Sequence, residues 1–406
     1  MKLVCSRGSG IRAAVLGMVC LLAGAVAAPA SDWSRWRGPE GTGISAEKGW
    51  KPQALAAAKV KWKASVGKGH SCLAVTDKHL LTMGNPGNTD VVYCLDTATG
   101  KEIWKHSYPC DQGNFEGPRA TPVVDGDFVY TLSREGLALC LEAATGKVKW
   151  QKNLIKDFGA ANITWGFSGS PLIVDKAVVY NARASGLALD KLTGEKIWEG
   201  GGGQCGYAAP VRFTHKGKDS LALFSFKEVV VVDAQTGVKL ASHPWETQYD
   251  VNAADPVYFD GKLFISSGYE RGCALLDLSG KNVKPLWESQ NLRSHFASPI
   301  YLDGHLYGVD GQTGQGQLRC LEAKSGKVKW THKGGFENLI IVSGMILAID
   351  KSGTLVIGEA GPAAFKETAK AALLNSKAHN WTAPVLANGF VYCRNGDGDL
   401  VCVDLH

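Results

Sequence analysis

The chain has 406 residues, 45% hydrophobic and 20% charged, with 49 glycines and a formal net charge of +6. That mild positive balance is spread evenly, without a Lys/Arg block or a basic amphipathic helix, which argues against a charge-driven nucleic-acid or membrane-surface binder. Many glycines separate short alternating Val/Ile/Leu/Tyr segments and no long stretch has helical periodicity, so the class is all-β.

In chain order, Lys2, Arg7 and Arg12 precede an apolar run from Ala13 to Ala27. Small residues close the run, with cleavage signals ending at Ala27 and at Ala30, so residues 1–30 read as a secretory signal peptide. The run is shorter than the roughly 20 residues of a spanning helix. Val19 before Cys20 is bulky for a lipoprotein cleavage site. The expectation is an exported protein, periplasmic or extracellular, with no transmembrane segment after cleavage. Losing three basic and no acidic residues leaves its charge near +3. Residues 31–59 form an N-terminal extension containing Trp33-Ser-Arg-Trp-Arg-Gly-Pro-Glu-Gly-Thr-Gly43, followed by a strand-like Val60-Lys-Trp-Lys-Ala-Ser-Val66.

From residue 60 to 406 one pattern recurs. Cys94-Leu-Asp-Thr-Ala-Thr-Gly-Lys-Glu-Ile-Trp104 returns as segments ending at Trp150, Trp198 and Trp330, and in weaker form around Gly237 and Gly280. The turn glycines Gly100, Gly146, Gly194, Gly237, Gly280 and Gly326 are 43 to 48 residues apart, a spacing that suits four short strands per unit. Upstream of each turn runs a partner such as Thr121-Pro-Val-Val-Asp-Gly-Asp-Phe-Val-Tyr130 or Ala383-Pro-Val-Leu-Ala-Asn-Gly-Phe-Val-Tyr392. These read as innermost strand A, a tight Asp-Gly or Asn-Gly turn and strand B. Strand C follows, then the Thr-Gly turn, then outer strand D with a Trp that fills the widening gap between neighbouring sheets.

Unit starts near Ser71, Arg119, Ser168, Tyr207, Ala253, Phe296, Glu337 and Trp381 predict an eight-bladed β-propeller of four-stranded antiparallel blades. The last unit lacks its outer strand and the first residues after the extension supply one. Closure is therefore expected through Val60–Val66 pairing with the last blade, which removes the sticky sheet edges. Seven blades is the count if the Glu337 unit is an insertion.

These units resemble the pyrroloquinoline-quinone (PQQ) repeat of the quinoprotein alcohol dehydrogenase-like propellers, and the Trp33–Gly43 opening is similar to that of secreted bacterial PQQ-like, BamB-like members. The resemblance covers about residues 60–406. It implies the fold and leaves function divided between quinone oxidation and protein binding. Dehydrogenases of this kind hold PQQ with a vicinal Cys-Cys disulfide, a Trp floor and a Ca²⁺ bound by carboxylate and amide oxygens. No two cysteines are adjacent in this chain, and Asp255, Asn252 and Glu337 have no spacing that makes a Ca²⁺ clamp. No zinc-protease, P-loop or nucleophile-elbow motif occurs, and the ten histidines are scattered.

Nine of the 11 cysteines follow the signal peptide. Cys94, Cys140, Cys320 and Cys402 share one strand-C position with Ala188 and Val231, which marks a small packing site. A Cys72–Cys110 bridge is left open. The loops entering strand A surround one mouth of a propeller's central channel. They carry His70, Arg119, Tyr207, Asn252, His295, Glu337 and Trp381, with Phe167, Ser168, Ala253, Phe296 and Asn380 nearby, richer in aromatic and hydrogen-bonding groups than a filler needs. The reading is a non-catalytic scaffold that binds a protein, an extended peptide or a small ligand at this mouth, with no catalytic or metal residues, no cofactor and no nucleic acid. The alternative is a PQQ/Ca²⁺-dependent dehydrogenase or a degenerate relative.

Overall fold

The computed structural model describes residues 1–2, 32–57, 59–280, 283–374, 377 and 379–406. Apart from its first two residues, the segment read as a signal peptide lies outside these. No helix among the described residues is long and apolar enough to cross a membrane.

Each repeat folds as a four-stranded antiparallel meander. In the first, Ala74–Val75, His79–Gly84, Thr89–Asp96 and Glu102–Pro109 lie side by side in chain order. The turns follow from their residue types. At Asp260-Gly261, Asp303-Gly304 and Asn388-Gly389 both turn residues have positive φ, the mirror-image turn that matches strand twist and that Asp/Asn-Gly tolerates. At the C–D turn, Asp96 Oδ1 accepts from the Thr99 amide at 2.8 Å and its hydroxyl at 2.6 Å, and the same pair recurs at Asp190/Thr193 and Asp233/Thr236.

The repeated Trp joins one sheet to the next. The Trp104 indole N–H donates 2.8 Å to Ala143 O in the following repeat, and Trp62, Trp150, Trp198, Trp287 and Trp330 each donate likewise to Thr97, Lys191, Ala234, Ala323 and Gly361. The ring lies over the next repeat's turn glycine: a Cβ on Gly146 would stand 2.4 Å from Trp104, and one on Gly237 2.4 Å from Trp198. That contact explains why Thr-Gly and Trp recur together. Within a sheet the Trp sits on a rung with a Tyr and a Cys, as in Tyr130↔Cys140↔Trp150 and Tyr392↔Cys402↔Trp62. A small residue is required between two large ones, and burial pushes the Cys140 thiol up to about 11 and Cys402 up to about 12, so both stay uncharged. The nine described cysteines are free and buried; Cys72 donates to Ala383 O at 3.3 Å instead of bridging Cys110.

The fourth repeat has Ala241 at the Trp position, paired with Val231. The carbonyl that Trp would reach in the next repeat, Leu278 O, is instead 2.9 Å from His215 Nε2. A different residue type fills the same role.

Among the described residues there are six four-stranded sheets and one eight-stranded sheet. In the latter, Val328–Val342 is one continuous 15-residue strand that serves as the outer strand of the repeat before it and the inner strand of the repeat after it, so two repeats share seven strands, and Ile44–Ser45 of the extension is the eighth. The turn expected there is absent; Gly334 and Gly335 let the chain change sheets through bulged pairing. Val60–Ser65 pairs antiparallel with Asp399–Asp404, which joins Phe390–Arg394 and Val385–Ala387 in a four-stranded sheet. The buried apolar residues form clusters between successive sheets, such as Leu81, Met83 and Trp104 with Val129 and Leu139, as expected of a repeat array.

The extension at residues 33–47 crosses the end of the space enclosed by the inner strands. Trp33 exchanges backbone hydrogen bonds of 2.7 and 2.8 Å with Val75, Ser34 O accepts from Val124 N, Arg37 reaches Pro299 O at 2.8 Å, and Ile44–Ser45 pairs in parallel with Ile341–Val342.

Candidate functional site

Apart from the continuous strand Val328–Val342, the innermost strands are only two to five residues long, so the loops before them end near the centre and turn several of their side chains inward. There they enclose a cavity of about 270 Å³. Its floor comes from the extension. Trp36 donates its indole N–H to Asp255 Oδ2 at 2.6 Å, the other Asp255 oxygen accepts from Ala209 N at 2.8 Å, and Arg37 lies 3.9 Å away. Burial raises the Asp255 carboxyl above its ordinary range, and Arg37 and the Trp36 hydrogen bond oppose that shift. Asp255 is the one carboxylate on the described cavity wall and is fully engaged.

Aromatic rings form the wall. Trp381 lies 4.2 Å from His70, 4.5 Å from Phe296, 4.8 Å from His379 and 5.9 Å from Phe115, measured between ring centres. Phe296 stacks on His295 at 3.7 Å, and His295 meets Tyr269 at 4.8 Å. Tyr269 meets Tyr249, Tyr249 meets Trp165, and Trp165 meets Tyr207. Arg119 completes the circuit: its guanidinium donates to Trp165 O on one side and to Phe115 O at 2.8 Å on the other. Among the described residues no carboxylate pairs with it. Burial, then the nearby Arg134, lowers Arg119 to about 10, which still leaves it cationic at neutral pH. His295 is lowered to about 4 by burial, and His70 falls well below its ordinary value through burial and then Arg119, so both rings are neutral.

Three belt residues sit in left-handed backbone: Phe115 (φ 54), Tyr249 (φ 59) and Tyr269 (φ 51). Tyr269-Glu270 occupies the two central positions of a mirror-image turn that ordinarily takes Asn-Gly. Holding aromatics in this strained conformation is a cost that clusters at binding sites.

His70, Arg119, Tyr207, His295 and Trp381 line the cavity, as do Ser168, Ala253 and Phe296. Asn252 and Glu337 do not. Asn252 is fully buried, and its amide holds the carbonyls of Ser225, Phe226 and Trp245. Glu337 turns inward to bond the Asn380 amide and His379 Nδ1, so it braces a lining residue from behind. Phe167 and Asn380 are likewise buried, and Asn380 binds the carbonyls of Asp350 and Lys351. Sequence reasoning missed Phe115, Trp165 and His379, which lie elsewhere on inter-repeat loops, Tyr269, which lies in the turn between Lys262–Ser267 and Gly272–Asp277 of one repeat, and Trp36, whose motif carried the resemblance without a role.

Comparison with known proteins places these features. Residues 88–332, more than half of the chain, match a family model described as outer membrane protein assembly factor BamB. The chain is 23% identical over 333 residues to outer membrane protein assembly factor BamB of Yersinia pestis, covering 74% of this chain and 77% of that one. It is 32% identical over 118 residues to quinohemoprotein alcohol dehydrogenase of Comamonas testosteroni, covering 27% and 16%. Among solved structures it resembles BamB of Moraxella catarrhalis (TM-score 0.63, 16% identity, 86% and 99% covered) and the Comamonas testosteroni quinohemoprotein alcohol dehydrogenase (TM-score 0.70, 14% identity, 93% and 81% covered).

Proposed function

Because the chain belongs to the PQQ-repeat family described as outer membrane protein assembly factor BamB, we propose that it is a non-catalytic, exported propeller scaffold that binds its partner at the axial cavity. The blade count in this reading is eight: six separate sheets, and the eight-stranded sheet divided at Gly334-Gly335 into two. Closure follows from Val60–Ser65 completing the last blade. The partner is a protein or extended peptide, or a small ligand presented at the same mouth, in keeping with the assembly role named for the relatives.

The observation that carries this reading is the circuit of rings, completed by Arg119, around a cup whose one carboxylate among the described residues is already committed to Trp36, Ala209 and Arg37. The alternative, a PQQ-dependent dehydrogenase, asks for a Ca²⁺ with six to eight oxygen ligands and a free catalytic carboxylate. The donor set here, imidazole, indole and guanidinium beside one engaged Asp255, does not fit that ion.

The test compares wild type with Arg119→Met/Trp381→Phe by in-cell cross-linking and mass spectrometry, with thermal melts as the fold control. Loss of specific cross-links at an unchanged melting temperature supports the scaffold. Saturable dye-linked alcohol oxidation after addition of PQQ and Ca²⁺ overturns it.

A further inference from the structure

We propose that the cup binds an acidic sugar, a uronic-acid ring, held by His295, His70, Trp381 and Arg119; this rests on the axial cavity being the binding site. The argument starts from polar atoms that have no partner. Both ring nitrogens of His295, Nδ1 of His70 and the indole N–H of Trp381 are shut off from solvent without a hydrogen bond, although all three residues line the cavity. A buried donor or acceptor left unmade costs free energy, and four of them gathered in three side chains of one cavity wall point to a ligand that makes these bonds once the rings turn towards it.

The chemistry of the missing partner follows from the donors and acceptors. A neutral imidazole has one N–H and one bare nitrogen, so His295 asks for a group that accepts at one edge and donates at the other. Ammonium only donates and carboxylate only accepts. Hydroxyls do both. The rings beside these atoms, Phe296, Trp381 and Tyr269, offer flat apolar faces, which suit the C–H face of a pyranose. A cationic ligand is disfavoured because the belt contains Arg119 and no free carboxylate. Arg119 itself spends N–H groups on carbonyls of Trp165, Asn114 and Phe115, and these hold the guanidinium in place while leaving its charge unpaired among the described residues. A carboxylate on the sugar ring supplies the missing counter-charge. The volume, about 270 Å³, suits a ring-sized group and not a folded segment.

The experiment follows tryptophan fluorescence and calorimetry of the full-length protein as D-glucuronate, and separately D-glucose, is added. The expected result is saturable binding of glucuronate with glucose weaker by about tenfold or more, the worth of one charge-assisted hydrogen bond. Arg119→Met should abolish the preference for glucuronate. His295→Phe should weaken both sugars, with melting curves showing each variant folded. Absence of saturable glucuronate binding, equal affinity for the two sugars in wild type, or unchanged binding in His295→Phe overturns the inference. If glucuronate fails while the Arg119→Met/Trp381→Phe variant still loses its cross-links, the sugar assignment falls and the scaffold stands. If glucuronate binds while the cross-links are unaffected, the cavity is a sugar site and protein docking at this mouth falls.

Discussion

His295 is 9% exposed, stacks on Phe296, and has a proton affinity lowered by burial to about 4. In the unfolded chain the same ring titrates near 6.5. Between those values the unfolded state binds more protons, so stability falls as pH drops from about 6.5 towards 4 and the loss is complete below the folded value. The shift corresponds to about 3 kcal/mol. Urea unfolding of wild type should therefore show a declining midpoint across that window, and His295→Phe should remove about one proton's worth of the slope. On the cavity floor, Asp255→Asn leaves Arg37, 8% exposed, without its counter-charge and should cost about 3–5 kcal/mol, read as a lower denaturation midpoint. Their equivalent places on the loops entering strand A identified the inward residues Arg119, Tyr207 and Trp381, because a repeat sets equivalent residues at equivalent radii. The same reasoning misjudged Glu337 because a buried carboxylate close to a loop amide turns towards the backbone; a position does not report which way its side chain faces. Phe115 and Trp165 escaped because inter-repeat loops vary in length and share no register, and Tyr269 because it sits in a turn inside its repeat, away from the loops that enter the innermost strands.

At the level of the strand, the Trp-to-carbonyl bond and the glycine beneath the ring form one joint between neighbouring sheets. Trp104→Ala removes a buried ring and its hydrogen bond to Ala143 together and should destabilise by about 3–5 kcal/mol, measured by chemical denaturation. Gly146→Ala attacks the same joint from the other side, through a positive φ of 71 and a clash with the ring, so the two substitutions should be less than additive. The Asp-x-x-Thr-Gly-Lys-x-x-Trp pattern made these joints readable because its Asp, Thr, Gly and Trp each have a separate physical duty. Two were unreadable. The fourth repeat uses His215, the last residue of its strand A, where no Trp exists. The strand Val328–Val342 has no turn to signal, since Gly334-Gly335 permits a bend without breaking the ladder.

For the molecule as a whole, the period and the unmatched outer strand were enough to anticipate repeated four-stranded sheets and the pairing of Val60–Ser65 with Asp399–Asp404. The path of residues 33–47 was not, because their partners, among them Val75, Pro299 and Ile341, are scattered along the chain. A chain shortened to begin at residue 66 would leave the edge of Asp399–Asp404 bare and lose Trp62 with its bond to Thr97. It should elute as oligomers in size-exclusion chromatography and melt lower than the full chain.

That same pairing joins the 60s to the 400s, so the first strand of the repeat array has no mate until residues 399–404 have been made. A ribosome-bound fragment can complete its middle sheets in order, yet that strand must wait, unsatisfied, for its distant partner to arrive. Such a polypeptide keeps one sheet edge open through most of its synthesis, and the sheet that joins its two distant parts forms in a single late step.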